Sequence, residues 1–320
     1  MLFIDNKGIT DPRINLAIEE YCVKNLDINE PSIIIGKNQN TVEEINADYV
    51  KEKGIHVVRR LSGGGAVYHD LGNLNFSFIT KDDGDSFSNF KKFTEPVTKA
   101  LSKLGVNAEL SGRNDILAEG RKISGNAQFA TKGRMFSHGT LLFDSEIDHV
   151  VSALKVKMDK IQSKGIKSIR SRVANITEFL NEEMTTEEFR QLLLETIFEG
   201  ETEIPTYELT EEDWKAIHKL SEERYQNWDW NYGKSPKFNL QHSHRFPVGQ
   251  VDVRLEVKKG TVTECKIYGD FFGSLDVHDI EERLTGVQFD KDAFTAALEG
   301  VDIARYFGNI TTEDFLHLFF

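Results

Sequence analysis

The sequence predicts an α+β chain, with a large domain of mixed sheet and helix followed by a small α+β domain at the C-terminal end. Three features of the pattern carry that expectation. Strand-like and helical stretches interleave as far as Phe143, and helices then dominate from about Ile147 to Trp228. An aromatic, turn-rich segment follows, Trp228-Asp229-Trp230-Asn231-Tyr232-Gly233-Lys234, and then the polar run Asn239–His244. Beyond it the pattern gives strands at Val251–Val257 and Val262–Tyr268, and three short helices. The boundary is therefore placed in this stretch, giving domains of residues 1–243 and 244–320.

The elements follow in order. Asp11-Pro12 opens a helix whose apolar residues Ile14, Leu16, Ala17, Ile18 and Tyr21 recur at helical spacing, with Cys22 on or beside that face. Pro31–Gly36 reads as a buried strand leaving into the polar loop Lys37–Asn40. Thr41 with Glu43 and Glu44 marks a helix start, and the helix is expected to run to Lys53, where Gly54 ends it. A strand leads through Val57–Val58 into a glycine loop, strand-like alternation resumes at Val67, His69 and Leu71, and a strand at Asn73–Ile79 is followed by an amphipathic helix from about Phe87 to Leu104. Strand-like pieces at Ala108–Leu110, Asp115–Ala118, Lys122–Phe129 and Phe136–Phe143 are separated by turns that Gly120 and Gly133 mark. The three tail helices fall at Asp279–Leu284, Asp290–Leu298 and Thr312–Phe319.

Composition narrows the function. The 320 residues suffice for a sizeable core, and 39% hydrophobic with 28% charged residues is ordinary for a soluble globular protein. No apolar run approaches a membrane span, and the first residues lack the pattern of a signal peptide. The two cysteines, Cys22 and Cys265, form no metal-ligand spacing, so a cytoplasmic protein with reduced thiols is expected. A net charge of −13 argues against nucleic-acid binding. One local exception is a basic strip from Lys155 to Arg172, read either as a solvated face or as a surface that steers an acidic partner.

The chemistry concentrates in Val57-Val58-Arg59-Arg60-Leu61-Ser62-Gly63-Gly64-Gly65-Ala66-Val67-Tyr68-His69-Asp70. Consecutive glycines lose much backbone freedom on ordering, so a fold keeps them where φ is positive or where a ligand must reach the main chain. Successive N–H groups in such a loop converge on anions, and forked arginine donors suit phosphate or carboxylate. The spacing fits neither the P-loop nor the dinucleotide fingerprint. A glycine hairpin with surface arginines is the alternative, although a hairpin needs fewer special residues than occur here. Taken alone the loop reads as an anion or phosphate site. The second informative stretch is Ser111–Ile116 with Gly120–Gln128, where Lys122 heads a strand beside the small residues Ser124, Gly125 and Ala127.

Together these stretches resemble the lipoate–protein ligase family. The resemblance rests on Arg59-Arg60 with Ser62–Asp70, Gly72-Asn73, Gly112–Asp115, Gly120–Gln128, Ser137–Thr140, Ser171–Asn175 and Gly36–Asn40, and it runs from about Asp11 to Phe320. It implies a catalytic domain of the biotin/lipoate ligase type with a small C-terminal accessory domain. It also implies a two-step reaction, in which lipoate and ATP with Mg2+ give lipoyl-AMP, and the acyl group then passes to a lysine of a lipoyl-carrier domain. The acceptors implied are 2-oxoacid dehydrogenase E2 subunits and the glycine cleavage H protein, with neither nucleic acid nor membrane as partner.

By the same resemblance Lys122 is the catalytic residue, contacting the acyl carbonyl and the α-phosphate. Arg60, Ser62, Gly63, Gly64, Gly65, Ala66, Val67 and Tyr68, with Asn114 and Asp115, would bind nucleotide, and Asp115 would be the link to Mg2+. Arg60, Ser62, Gly65, Lys122, His138 and Gly139 would bind lipoate, with a satisfied strand histidine as the alternative for His138. The sequence departs from the family at Leu26-Asp27-Ile28-Asn29, where the resemblance implies that an edge strand and an aromatic wall of the acyl pocket would be shortened or absent. Two other readings stay open: an ATP-independent octanoyl or lipoyl transferase of the same fold, and a non-enzymatic module that binds lipoyl-AMP or a carrier. Neither cysteine has a neighbouring histidine or basic turn that would make a thiolate.

Overall fold

The structure, a computed structural model, describes residues 3–5, 9–22, 31–154, 172–199, 201, 203–232 and 238–320. The stretch Leu26–Asn29, and the basic strip apart from Arg172, lie outside the described residues, as does the Gly233–Lys234 end of the aromatic segment. The chain divides into two compact units. The first comprises Met1–Ile35, Val42–Arg59 and Ala66–Asn231, and the second Gly36–Thr41, Arg60–Gly65 and Tyr232–Phe320.

In the first unit α1 spans Pro12–Cys22 and β1 spans Ser32–Ile35, every residue of which is buried. The helix expected from Thr41 to Lys53 is two, α2 at Thr41–Glu44 and α3 at Ala47–Lys53. Between them Ile45 turns inward to 2% exposure and bridges Leu154, while the Asn46 side chain accepts from Tyr49 N and starts a new helix. Gly54, at φ 64°, ends α3 in the left-handed region. β2 (His56–Arg59) pairs with β1 in parallel and β3 (Val67–His69) pairs with it antiparallel, so this three-stranded sheet is mixed.

A second sheet of five strands holds the candidate chemistry. It contains β4 (Asn73–Lys81), then β5 (Ala108–Ser111), β6 (Asp115–Ala118), β7 (Arg121–Thr131) and β8 (Arg134–Leu142) after α4 (Phe90–Lys103). Its order is β4-β8-β7-β6-β5 and every neighbouring pair is antiparallel. Among the described residues, α5 (Ile147–Ala153), a 3-10 turn at Ile176–Phe179, α6 (Thr186–Ile197), α7 (Glu211–Leu220), a π turn at Ser221–Tyr225 and α8 (Trp228–Asn231) complete the unit.

One face of the five-stranded sheet is core. Leu74, Ile116, Ala118, Ile123 and Leu141 bury against Val97, Ala100 and Leu101 of α4 and Phe189 and Leu193 of α6. Removing that apolar surface from water stabilises the layer at about 25 cal/mol per Å2. Directly opposed residues share a face in an antiparallel pair, so the register defines the other face as well. One row across it is Asp115, Gly125, Thr140 and Asn75, and the next is Ala127, His138 and Ser77.

Among its described residues the second unit has a three-stranded antiparallel sheet, ordered β11-β10-β9, and four short helices after it. β10 (Gly249–Lys258) and β11 (Thr261–Gly269) are joined by Lys259 and Gly260, both at positive φ, as a two-residue hairpin turn requires. The polar run expected to be a boundary instead supplies β9 (Leu240–Phe246), an edge strand with little buried surface. Its polar composition is what an edge strand tolerates, since its outer side meets water. The helices are α9 (His278–Leu284), α10 (Lys291–Ala297), α11 (Ala304–Phe307) and α12 (Thr312–Leu316). They enclose a core that includes Val253, Leu255, Ile267, Phe271, Phe294, Phe307 and Phe315.

Candidate active site

Lys122 stands where the β6–β7 register shifts. Ile116 opposes Ser124, yet Leu117 opposes Lys122, so β7 carries one extra residue at this point. Such a bulge re-aims a side chain. With regular alternation Lys122 would share the core-facing side of Ser124. Instead Lys122 Nζ sits 2.8 Å from Asp115 Oδ1, and it lies over Gly125, where a Cβ would be 3.1 Å from Nζ and 3.2 Å from Cε. Gly125 thus vacates the space the ammonium occupies. Both partners are about one-third exposed, at 37% and 35% of their side-chain surface.

Asn114 contributes differently. Its amide donates to Asn126 O at 2.6 Å, and the Asn126 amide donates back to Asn114 O at 3.1 Å. This reciprocal clamp fixes the β6–β7 pair beside Asp115, so the Asn114 side chain holds the strands.

In the next row His138 Nδ1 is hydrogen-bonded to Glu19 Oε1 of α1 at 2.8 Å, with both side chains largely buried. Gly139 opposes Asn126, and a Cβ there would run into Asn126 Oδ1 and the Phe76 ring. Val67 and Tyr68 lie in β3 with Ala66 just before them. Tyr68 is 4% exposed, and burial, aided by the Asp70 charge, pushes its phenol up to about 12. Its hydroxyl lies 3.4 Å from His149 Nδ1.

The two arginines divide between the units. Arg59 is committed to the α8 segment of the first unit, donating to Trp230 O at 2.9 Å and to Asn231 O at 3.3 Å, while Trp230 Nε1 donates to Arg59 O at 2.8 Å. In the second unit Arg60 folds back on its own loop. Its guanidinium donates to Ser62 Oγ at 3.0 Å, Gly63 O at 2.7 Å and Gly65 O at 2.8 Å. Of the triple glycine, Gly64 alone has a positive φ, 92°. Gly63 is packed beneath the Phe271 carbonyl and the Phe272 ring, whereas a Cβ at Gly65 would meet nothing within 4 Å. Neither packing nor φ therefore demands glycine at position 65, and its main chain is open to an incoming group. Lys37 N donates to Ser62 O at 2.9 Å, and Lys37 Nζ pairs with Asp276 at 3.0 Å, tying the Gly36–Asn40 loop into the same unit.

Among the described residues no three His, Cys, Asp or Glu side chains are grouped to hold a metal. Asp115, about one-third exposed beside Lys122, fits the mode in which Mg2+ rides on phosphate oxygens with one or two carboxylates. Cys265 is 3% exposed, and burial together with the Glu281 charge pushes its thiol far above the ordinary range. A group held neutral in this way is no nucleophile. The Cys22 side chain lies outside the described residues.

Comparison with known proteins identifies the family. The description of the lipoyl protein ligase A/B catalytic domain matches residues 11–198, and that of the bacterial lipoate protein ligase C-terminus matches residues 235–319. The chain belongs to the lipoate–protein ligase family. It is 71% identical over 331 residues to lipoate-protein ligase LplJ of Bacillus subtilis, covering 100% of both chains. P. falciparum LipL1 in complex with lipoate superposes with a TM-score of 0.77 at 25% identity, covering 99% of this chain and 97% of that one. A bipartite lipoate protein ligase from Thermoplasma acidophilum, studied with its E2 lipoyl domain, gives 0.61 at 32% identity over 75% and 97%. Lipoate-protein ligase A bound with ATP gives 0.59 at 31% identity over 73% and 97%. The fold is thus the α+β fold of the lipoate ligases with a small α+β C-terminal domain. Among the described residues no helix is long and apolar enough to cross a membrane.

Several residues that shape this ligase escape the sequence. Glu19 reaches His138 across 119 positions, and nothing local to α1 marks it. Asp70 looks like a turn residue and is one, accepting from Gly72 N at 3.0 Å. Its second oxygen also accepts from Glu146 N at 2.8 Å, which joins the exit of β3 to the start of α5.

Proposed function

We propose that this ligase activates lipoate with ATP and then acylates a lysine of a lipoyl domain. The observation that carries the reading is the Lys122 ammonium, aimed by a bulge over Gly125 and held against Asp115. In the first step a lipoate carboxylate oxygen attacks the α-phosphorus, the bond to pyrophosphate breaks, and lipoyl-AMP forms. Negative charge grows on the phosphate oxygens, and a fixed cation stabilises it. Lys122 supplies that cation and contacts the acyl carbonyl. Arg60, Ser62 and Gly63–Gly65 with Ala66–Tyr68 bind the nucleotide and the acyl head through their main chain and the Arg60-braced loop. His138 and Gly139 border the acyl chain. Bound Mg2+ would neutralise phosphate charge, with Asp115 as its protein carboxylate.

In the second step the ε-amine of the acceptor lysine attacks the acyl carbonyl, AMP leaves, and the amine loses a proton. The nucleophile belongs to the acceptor, so none is needed in this chain. The lipoyl domain of an E2 subunit fits this role, given the archaeal ligase described with its E2 lipoyl domain; a glycine cleavage H protein is the other acceptor in view. The buried thiol of Cys265 gives no support to a transferase that works through that cysteine.

The test is pyrophosphate release from ATP with lipoate and Mg2+, followed by the mass increase of a lipoyl domain. Lys122→Ala should slow the first step by about 100-fold or more, since a lost contact of this kind costs about 3 kcal/mol. Absence of lipoate-dependent pyrophosphate from the native protein would remove the ligase reading, and a Lys122→Ala rate equal to the native one would remove the assignment of Lys122.

A further inference from the structure

Lys122 occupies a gap in its sheet. Pairing of β7 with β8 begins only at Ser124 and Leu141, so Arg121, Lys122 and Ile123 have no β8 partner. On the β6 side the register shifts at this same point. Left there, the most important side chain of the proposed reaction would ride on a strand end with half its ladder missing. The gap is filled by Arg172–Ala174, which runs parallel to β7 and bridges Lys122 through Val173. Lys122 N donates to Arg172 O at 2.8 Å, and Ala174 N donates to Lys122 O at 3.0 Å.

That short segment is itself anchored at several points. The Asn175 side chain embraces the Ser145 peptide group, accepting from Ser145 N at 3.0 Å and donating to Ser145 O at 2.9 Å. Glu178 accepts from Asn175 N at 2.9 Å and from Arg121 Nη1 at 2.6 Å, and the Arg121 guanidinium lies 4.8 Å from the Phe179 ring centre. Thr177 N donates to Phe143 O at 3.1 Å, while Ala174 and Ile176 are fully buried in the core. Two adjacent residues of β7 are therefore held by one segment, Arg121 through its side chain and Lys122 through its peptide groups.

We propose that Arg172–Glu178 is a brace that sets the position of Lys122, with Asn175 and Glu178 as positioning residues for adenylate formation. The inference rests on the assignment of Lys122 to that step. The brace touches Lys122 only through the main chain, so its loss displaces the ammonium without altering its chemistry. A displacement of about 1 Å at such a group costs on the order of 100-fold in rate, which makes even a partial loosening measurable.

The experiment compares native protein with Asn175→Ala, Glu178→Ala, Asn175→Asp and Lys122→Ala. It measures kcat and KM for lipoate-dependent pyrophosphate release, thermal midpoints, and hydrogen exchange of the peptide containing Lys122. Asn175→Ala and Glu178→Ala should lower kcat by about tenfold or more while KM for ATP and for lipoate moves less than about twofold. Exchange at the Lys122 amide should rise in both. Asn175→Asp keeps the acceptor for Ser145 N and should recover part of the rate. If Asn175→Ala does not fold, Glu178→Ala decides, because its side chain is 44% exposed and its removal leaves the core intact. Faster exchange at Lys122 with unchanged kcat overturns the brace, as does lost kcat with unchanged exchange. Lys122→Ala separates the two ideas: full activity there sinks the Lys122 assignment, whereas a dead Lys122→Ala beside fully active brace variants sinks the brace alone.

Discussion

Gly125→Ala isolates the space that Lys122 needs. The backbone at Gly125 lies outside the positive-φ region, so alanine fits it without strain. Replacing glycine by alanine at a compatible site stabilises by about 0.4–1 kcal/mol through the unfolded chain. Against that, the new methyl would stand 3.1 Å from Lys122 Nζ and 3.2 Å from Cε, closer than ordinary contact. The lysine end is flexible and yields, giving up its bond to Asp115. That ion pair is about one-third exposed on each side and so contributes no more than about 1 kcal/mol. The two effects on stability nearly cancel.

The effect on rate does not cancel. On the role proposed for Lys122, an ammonium displaced from its post would lose its contact to the phosphate and the acyl carbonyl, worth about 3 kcal/mol, or about 100-fold in the first step. Scanning calorimetry should therefore find Gly125→Ala within a few degrees of native, while a coupled pyrophosphate assay finds it severely slowed. A variant that keeps the native rate would show that Lys122 does not work from above Gly125. A variant that unfolds would show that the strand pair, rather than the lysine, needs the glycine.

Gly65→Ala should fold as well as native, since a Cβ there meets nothing within 4 Å, yet KM for ATP should rise about tenfold if the nucleotide approaches this main chain; an unchanged KM excludes that approach. Cys265 should resist iodoacetamide in the folded protein at pH 8 and react after denaturation, because burial holds the thiol protonated. Peptide mapping that finds it alkylated in the native state contradicts this. Hydrogen bonds from Ser86, with Asp85 N and Lys92 assisting, hold Asp83 down at about 2 against an ordinary 3.8. Its folded-state pKa is depressed, so its support for the turn before α4 is present above about pH 4 and fades as pH falls toward about 2. A carboxyl NMR titration of Asp83 with its midpoint near 3.8 would refute the contacts named.

Local physics made much of this chain legible. Gly54, Gly120 and Gly133 sit at positive φ where the sequence calls for a helix end or a turn, because no other residue takes that conformation as cheaply. The strands β4 to β8 follow from alternation with one buried face. Tertiary effects hid the rest. Ile45 breaks a helical pattern because it is drawn into the interior, and β9 reads as a loop because an edge strand has little to bury. Arg59 and Arg60 look alike in sequence, yet one serves Trp230 and Asn231 while the other closes the glycine loop. The aim of Lys122 was the least readable feature, since a one-residue bulge leaves the residue types untouched and reverses the face they serve.

The strength of the Asp115–Lys122 pair matters as much as its presence. An unpaired lysine at a strand head samples many rotamers, and ordering it when substrate arrives costs up to about 2 kcal/mol. Asp115 confines it beforehand. A fully buried pair would confine it better, but separating one costs about 3–5 kcal/mol, which would oppose transfer of the ammonium to phosphate. At roughly one-third exposure the pair has neither fault, because water screens it and either partner can be exchanged for a phosphate oxygen or a cation at little cost. The bulge, the missing Cβ of Gly125 and the Arg172–Ala174 ladder then supply through the backbone the placement that so weak an ion pair cannot. Precision in the main chain and looseness at the charge are complementary demands of the step proposed for Lys122, in which a cation must be waiting in position and must still let go of its resting partner.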